Sequence, residues 1–144
     1  MAKKLDALIT LIAMFNENDE ILLLKRKSDV HCPDVWSFPG GKIKASETPL
    51  DAAVRELKEE TGVKGRLWRH IGKHNHTYDD RQLAFYFFFC RTPKDMHKKT
   101  TLNTESEYIW QPIQQLTDLD MPQANQALIN MLIDCYDQEL CPIP

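Results

Sequence analysis

At 144 residues, with 42% hydrophobic and 27% charged side chains and no low-complexity tract, the chain has the composition of one globular domain with a core of ordinary size. A net charge of −3 without any basic stripe argues against a nucleic-acid polymer as the main partner, so an anionic ligand would call for a bridging cation. No apolar run is long enough to cross a bilayer, and neither a signal peptide nor an internal repeat is evident.

In chain order, Leu5 to Phe15 (LDALITLIAMF) reads as a strand, Asn16 to Asp19 as a turn, and Glu20 to Lys25 as the returning strand of a hairpin. Arg26 to Gly41 reads as an irregular loop, with Pro33, Pro39 and the pair Gly40-Gly41. The next element is a helix. Thr48 suits its N-cap, Pro49 its first position, Asp51 the capping-box acid and Gly62 its stop. At about 100° per residue, Leu50, Ala53, Val54 and Leu57 form its apolar face. Glu56, Glu59 and Glu60 share an arc roughly 115° from that face. Three clustered carboxylates repel one another, so something positive belongs among them.

Val63 to Thr77 and Gln82 to Cys90 form a long hairpin turning at Tyr78 to Arg81, and the aromatic run LAFYFFFC from Leu83 to Cys90 is its buried strand. Arg91 to Thr104 is a polar loop, Tyr108 to Gln111 a short strand, and Gln123 to Gln138 a closing amphipathic helix. Strands interleaved with two helices predict an α/β (α+β) domain, an α/β/α sandwich around a mixed central sheet, filling residues 1–144. The four cysteines, Cys32, Cys90, Cys135 and Cys141, form no C-x-x-C pair and read as free thiols of a reducing compartment, here the cytoplasm. His74 and His76 alternate on a strand with His70 nearby. With no cysteine or carboxylate spacing to complete a zinc site, they read as surface histidines.

The fixed residues of the middle segment line up as Gly41, Glu47, Arg55-Glu56-Leu57, Glu59-Glu60 and Gly62-Val63. This is the pattern G-x5-E-x7-R-E-U-x-E-E-x-G-U, with U aliphatic, and the chain therefore resembles the Nudix hydrolases. Chance alone would give such a match on the order of once in ten million chains. The resemblance implies hydrolysis of a nucleoside diphosphate linkage with a hard cation, Mg²⁺ or else Mn²⁺, bridging phosphate oxygens. It implies Glu56, Glu59, Glu60 and the Gly40 carbonyl as metal ligands, with Arg55 orienting a glutamate by ion pairing.

Segments outside this box resemble the bacterial MutT branch, which acts on 8-oxo-dGTP. Lys25-Arg26 with Ser28-Asp29-Val30-His31 implies Arg26 and His31 as nucleotide contacts, and Phe38-Pro39-Gly40-Gly41 places Phe38 beside the base. Asp80-Arg81 implies Arg81 at the pocket, and Met121 to Asn125 (MPQAN) implies Asn125 as the reader of the base edge. Each has a plainer reading: Arg26 and Arg81 as surface charges, Phe38 as core, Asn125 as a helix cap. Ser37 and Ser46 depart from the branch, which has glutamate and glycine there. The general base stays open between Glu56 and a loop glutamate, Glu105 or else Glu107. The expected partner is a small nucleotide, with no membrane, and the protein a monomer or weak dimer. Two rivals are a broader (d)NTP or CTP pyrophosphohydrolase and a nucleotide-sensing domain without turnover. The intact glutamates count against the second.

Overall fold

Alternation along the central strand sorts the hydrophobic core into two layers. Leu11, Ala13 and Phe15 join one buried cluster, while the intervening Ile12 and Met14 join another. In this computed structural model, which describes residues 7–26, 35–96, 102–104 and 106–137, that strand is β1 (Ala7–Phe15). It is followed by β2 (Glu20–Lys25), β3 (Trp36–Ser37), β4 (Gly40–Lys42), α1 (Pro49–Thr61), β5 (Arg66–Tyr78), β6 (Arg81–Arg91) and β7 (Tyr108–Pro112). A 3₁₀ helix (Ile113–Asp118) and α2 (Gln123–Asp137) complete the order.

The sheet has the order β3-β2-β1-β6-β5, with β4 paired to β1 and β7 to β2. It is mixed, as expected: β1 runs parallel to β6 from Ala7↔Leu83 to Phe15↔Arg91, and the other pairs are antiparallel. Leu128, Ile129 and Leu132 of α2 pack into the Leu11–Phe15 cluster, and Ala53 and Leu57 of α1 pack into the Ile12–Met14 cluster. The helices therefore cover opposite faces, giving the α/β/α layering. Phe15, Phe87 and Phe89 are fully buried, each worth about 2–3 kcal/mol in surface removed from water.

The β1–β2 hairpin is narrower than the sequence suggests. Its strands meet at Phe15↔Ile21 and then diverge. Two short strands occupy the gap, where the sequence predicts irregular loop. β4 pairs Gly40–Lys42 with Ile9–Leu11, β3 pairs with Leu24 and Lys25, and the Ile12 N–H donates to the Pro39 carbonyl at 2.8 Å. The wedge between the two strands is thus filled by the segment carrying both glycines. At the closed end, the buried Arg91 donates to Asp19 Oδ1 at 2.7 Å and to the Asn16 carbonyl at 3.3 Å, pinning the turn.

α1 starts and stops where its residues dictate. Thr48 Oγ1 accepts from the Asp51 N–H at 3.1 Å, and Gly62 takes the left-handed φ of 75° that ends the helix. Its buried face differs from the predicted one. Leu50 and Val54 are 42% and 36% exposed, and Ala52, Ala53, Leu57 and Thr61 are buried instead. Small residues at 52 and 53 let the helix roll close to β1 and β4, and this turns Glu56 and Glu60 inward while Glu59 stays exposed. The 3₁₀ turn at 113–118 is absent from the sequence reading, having no capping or periodic signal.

Candidate active site

Rolling α1 inward places its carboxylates against the glycine strand. The Gly40 N–H donates to Glu60 Oε2 at 3.1 Å. A Cβ on Gly41 would stand 2.7 Å from the Glu56 carboxyl carbon, and one on Gly40 would overlap the Thr10 carbonyl oxygen. The paired glycines are therefore required by close approach on both sides.

Arg55 holds the carboxylates in place. Its Nε and Nη2 form a fork on Glu47 at 2.6 and 2.8 Å, and Nη1 reaches Glu56 at 2.9 Å and Glu59 at 3.1 Å. Nη2 also donates to the Lys42 carbonyl at 3.1 Å, tying the helix to the end of β4. The positive charge demanded by the three glutamates is thus, in the first instance, Arg55. Its hydrogen bonds, with that of the Lys44 N–H, hold the Glu47 carboxyl down at about 2, and Glu47 chiefly raises the guanidinium in turn. Glu60 differs. Burial first, then repulsion from Glu56 and Glu59, pushes its carboxyl up to about 8 against the opposing pull of the Gly40 N–H. Among the described residues no three acidic, imidazole or thiol side chains already converge as a preformed metal cage.

A cavity of about 930 Å³ adjoins these carboxylates, lined by residues of α1 and β4 and by residues of the cluster beneath α2. Its lining takes Glu59, Glu60, Gly40, Gly41 and Lys42 from α1 and β4, and Ile9, Leu11, Phe38, Leu83 and Phe85 from the cluster beneath α2. Asn125, buried and beside Pro122, also lines it, and Arg26 and Arg81 are on its wall. The cavity therefore brings together most of the residues singled out from sequence. Glu56 and Arg55 do not line it, and both instead abut β4, Glu56 at Gly41 and Arg55 at the Lys42 carbonyl. His31 and Glu105 lie outside the described residues, but Thr104 and Ser106, which flank Glu105, face the cavity. Glu107 is exposed and absent from the lining, its carbonyl accepting the Lys25 N–H at 2.9 Å.

Among the described residues Asn125 Oδ1 has no hydrogen-bond partner, whereas a helix cap would accept a backbone N–H. Phe38 is both core and pocket wall, packed edge-on to Phe87 at 5.2 Å between ring centroids. Arg81 is exposed and paired with Asp80 at 3.3 Å. His70 is exposed as read, but His74 and His76 are half-buried, because their strand face is turned toward α2. Cys90 is a buried free thiol, held protonated by burial, and Cys135 is free and half-buried.

The cavity also contains residues given no role from sequence: Lys25, Lys42, Tyr78, Asn103, Thr104 and Ser106. Lys42 and Tyr78 adjoin recognised motifs and were findable by adjacency. Asn103 was not. Its N–H donates to the Thr61 carbonyl at 3.1 Å, and its Cβ lies 3.0 Å from where a Gly62 side chain would begin, so the helix stop seats the loop.

The sequence model of the family described as NUDIX domain matches residues 6–132. The chain is 34% identical over 131 residues to the 8-oxo-dGTP diphosphatase of Escherichia coli, covering 90% of this chain and 97% of that one. A mouse diphosphoinositol polyphosphate phosphohydrolase 3-alpha is 42% identical over 74 residues, covering 51% of this chain and 43% of its own. Among solved structures, a MutT from work on Aliivibrio salmonicida and Vibrio cholerae superposes with a TM-score of 0.68 at 26% identity, over 89% of this chain and 97% of that one.

Proposed function

The chain belongs to the Nudix family of hydrolases, and from that premise we propose that it is a divalent-metal-dependent pyrophosphohydrolase of 8-oxo-dGTP, releasing 8-oxo-dGMP and pyrophosphate. The observation that carries the substrate is Asn125, buried with an Oδ1 that has no partner among the described residues, on a cavity also lined by Glu59 and Glu60. An end-to-end likeness to an 8-oxo-dGTP diphosphatase supports the same reading, since it includes the segments outside the carboxylate helix.

The donor set fits a hard cation. Glu60 is a half-buried carboxyl whose proton affinity is raised by desolvation and by two neighbouring carboxylates, a local crowding of acidic groups that a divalent ion would relieve. Glu56, Glu59, Glu60 and the Gly40 carbonyl would hold Mg²⁺ or Mn²⁺. When bound, the ion neutralises phosphate oxygens and charge developing at phosphorus. Arg55, locked on Glu47, restrains Glu56 and Glu59 so that little reorganisation remains at reaction. Lys25, Arg26 and Lys42 add positive charge along the path of the triphosphate.

At the other end Phe38, Leu83 and Phe85 form an apolar slot for the purine, with Arg81 at its mouth. Oxidation at C8 converts N7 of guanine from acceptor to N–H donor, and the Asn125 amide offers both an acceptor and donors to a purine edge. A dry pocket presenting an acceptor there penalises ordinary guanine by leaving polar groups unpaired. Water attacks the β-phosphorus: its oxygen bonds to that phosphorus while the bond to the α–β bridging oxygen breaks. The electron pair leaves with the monophosphate, and the water proton passes to a carboxylate, Glu56 or Glu105.

Hydrolysis of oxidised and normal nucleoside triphosphates in parallel, with Mg²⁺ and ¹⁸O-labelled water, tests this reading. Preference for 8-oxo-dGTP with label in pyrophosphate is expected. Equal rates on all nucleotides would reduce the assignment to a broad pyrophosphohydrolase, and label in the monophosphate would move the attack to the α-phosphorus.

A further inference from the structure

Away from the carboxylates, β5 carries a second set of groups suited to holding an ion. His74 pairs across the sheet with Phe85 and His76 with Leu83, both buried in the cluster beneath α2, so the two imidazoles share the α2-facing side of the strand. Their ring centroids are 5.7 Å apart. Both Nε2 atoms are shielded from solvent, and among the described residues neither has a hydrogen-bond partner. A buried polar nitrogen without a partner is costly, and two side by side on one strand face form an unusual coincidence.

We propose that His74 and His76 bind one late first-row transition cation, of the Zn²⁺, Ni²⁺ or Cu²⁺ class, through their Nε2 atoms. Two imidazoles sharing a cation at about 2.0–2.1 Å in tetrahedral geometry have ring centroids roughly 5–6 Å apart, the separation found here. Neutral imidazole is the ligand form, and burial together with the neighbouring His76 lowers the proton affinity of His74. A thioether lies on the same strand face: Met131 Sδ of α2 is 3.2 Å from where a Cβ of Gly72 would stand, two residues before His74. Imidazole nitrogen selects this class of cation over Mg²⁺. Bound there, the ion would brace the β5 wall beneath α2. His76 stacks edge-on against Tyr78, which lines the cavity, at 4.6 Å between centroids, so that wall continues into the nucleotide site.

The experiment titrates the full-length protein with Zn²⁺ and with Cu²⁺ in the presence of excess Mg²⁺, which occupies the carboxylate end. One equivalent of Zn²⁺ should bind with micromolar or tighter affinity and raise Tm. His74→Gln and His76→Gln should each weaken it at least tenfold while retaining Mg²⁺-dependent hydrolysis, which verifies folding. The Cu²⁺ paramagnetic spectrum should show coupling to two imidazole nitrogens. No binding, or binding that survives both substitutions, overturns the proposal and leaves the pair as packing. Should a variant fail to fold, the wild-type Cu²⁺ spectrum decides: coupling to fewer than two nitrogens overturns the site.

Discussion

At the α1 end of the site Glu47, Arg55, Glu56 and Glu59 fix one another through ion pairs of 2.6–3.1 Å, whereas at the α2 end Phe38, Phe85 and Asn125 are held by burial, and Asn125 Oδ1 has no bond among the described residues. The first end is one short stretch of chain, from Gly40 to Glu60. The second is assembled from β1, β6, the segment before β4, and the start of α2. A charge network of this kind fails as a unit when a member is lost. A largely apolar slot loses selectivity by degrees. Rate should therefore reside at one end and choice of nucleobase at the other.

The largest effect is expected where the charges are. Glu59→Gln or Glu60→Gln should lower kcat by several orders of magnitude on every nucleotide alike, as should removal of metal by EDTA. Steady-state rates on 8-oxo-dGTP and dGTP check this, and full activity in either variant would remove the metal assignment. Next comes Gly41→Ala. Its methyl group would displace the Glu56 carboxylate, the flexible end of a side chain, so folding should survive while kcat falls about tenfold to a hundredfold. An unchanged rate would mean that Glu56 does not act from where it stands.

The same end sets a pH signature. With its folded carboxyl raised to about 8 from the ordinary 4.5, metal-free native protein binds more protons than unfolded chain between those values. Stability of the metal-free protein should therefore fall as pH rises from about 4.5 to about 8, by on the order of a few kcal/mol, and level off above. Glu60→Gln should flatten that slope, and added Mg²⁺ should offset it, as urea melts across the range would report. The smallest effects belong to the outer face of α1. Leu50→Ser and Val54→Ser should each change stability by less than about 0.5 kcal/mol, against about 2–5 kcal/mol for Leu57→Ala. Large losses at Leu50 would show that this face is covered in solution.

The contrast between the ends also explains what could be read from the sequence. Local chemistry was legible: the Thr48 cap, the Gly62 stop and the order of residues from Gly41 to Val63 all follow from neighbours a few positions apart. The layering was legible too, because strand alternation and two amphipathic helices leave few arrangements. Departures came from tertiary packing. Leu50 and Val54 match the helical period, but small residues at Ala52 and Ala53 let α1 roll, and periodicity alone is blind to that choice. Half-burial of His74 and His76 depends on which side of β5 faces α2, a register set by pairing with β6. Asn125 belonged to a motif, but its burial and its oxygen without a partner among the described residues came only from the fold.

Asn125→Ala, assayed for kcat/KM on 8-oxo-dGTP and dGTP alongside a melting curve, tests most directly whether one cavity divides rate from recognition. The account predicts an unchanged Tm and a loss of about tenfold to a hundredfold confined to the oxidised nucleotide, the equivalent of roughly 1–3 kcal/mol of lost hydrogen bonding in a closed pocket. A lowered Tm with the substrate ratio intact would contradict it, returning Asn125 to a structural role and leaving the apolar end of the cavity without a reader.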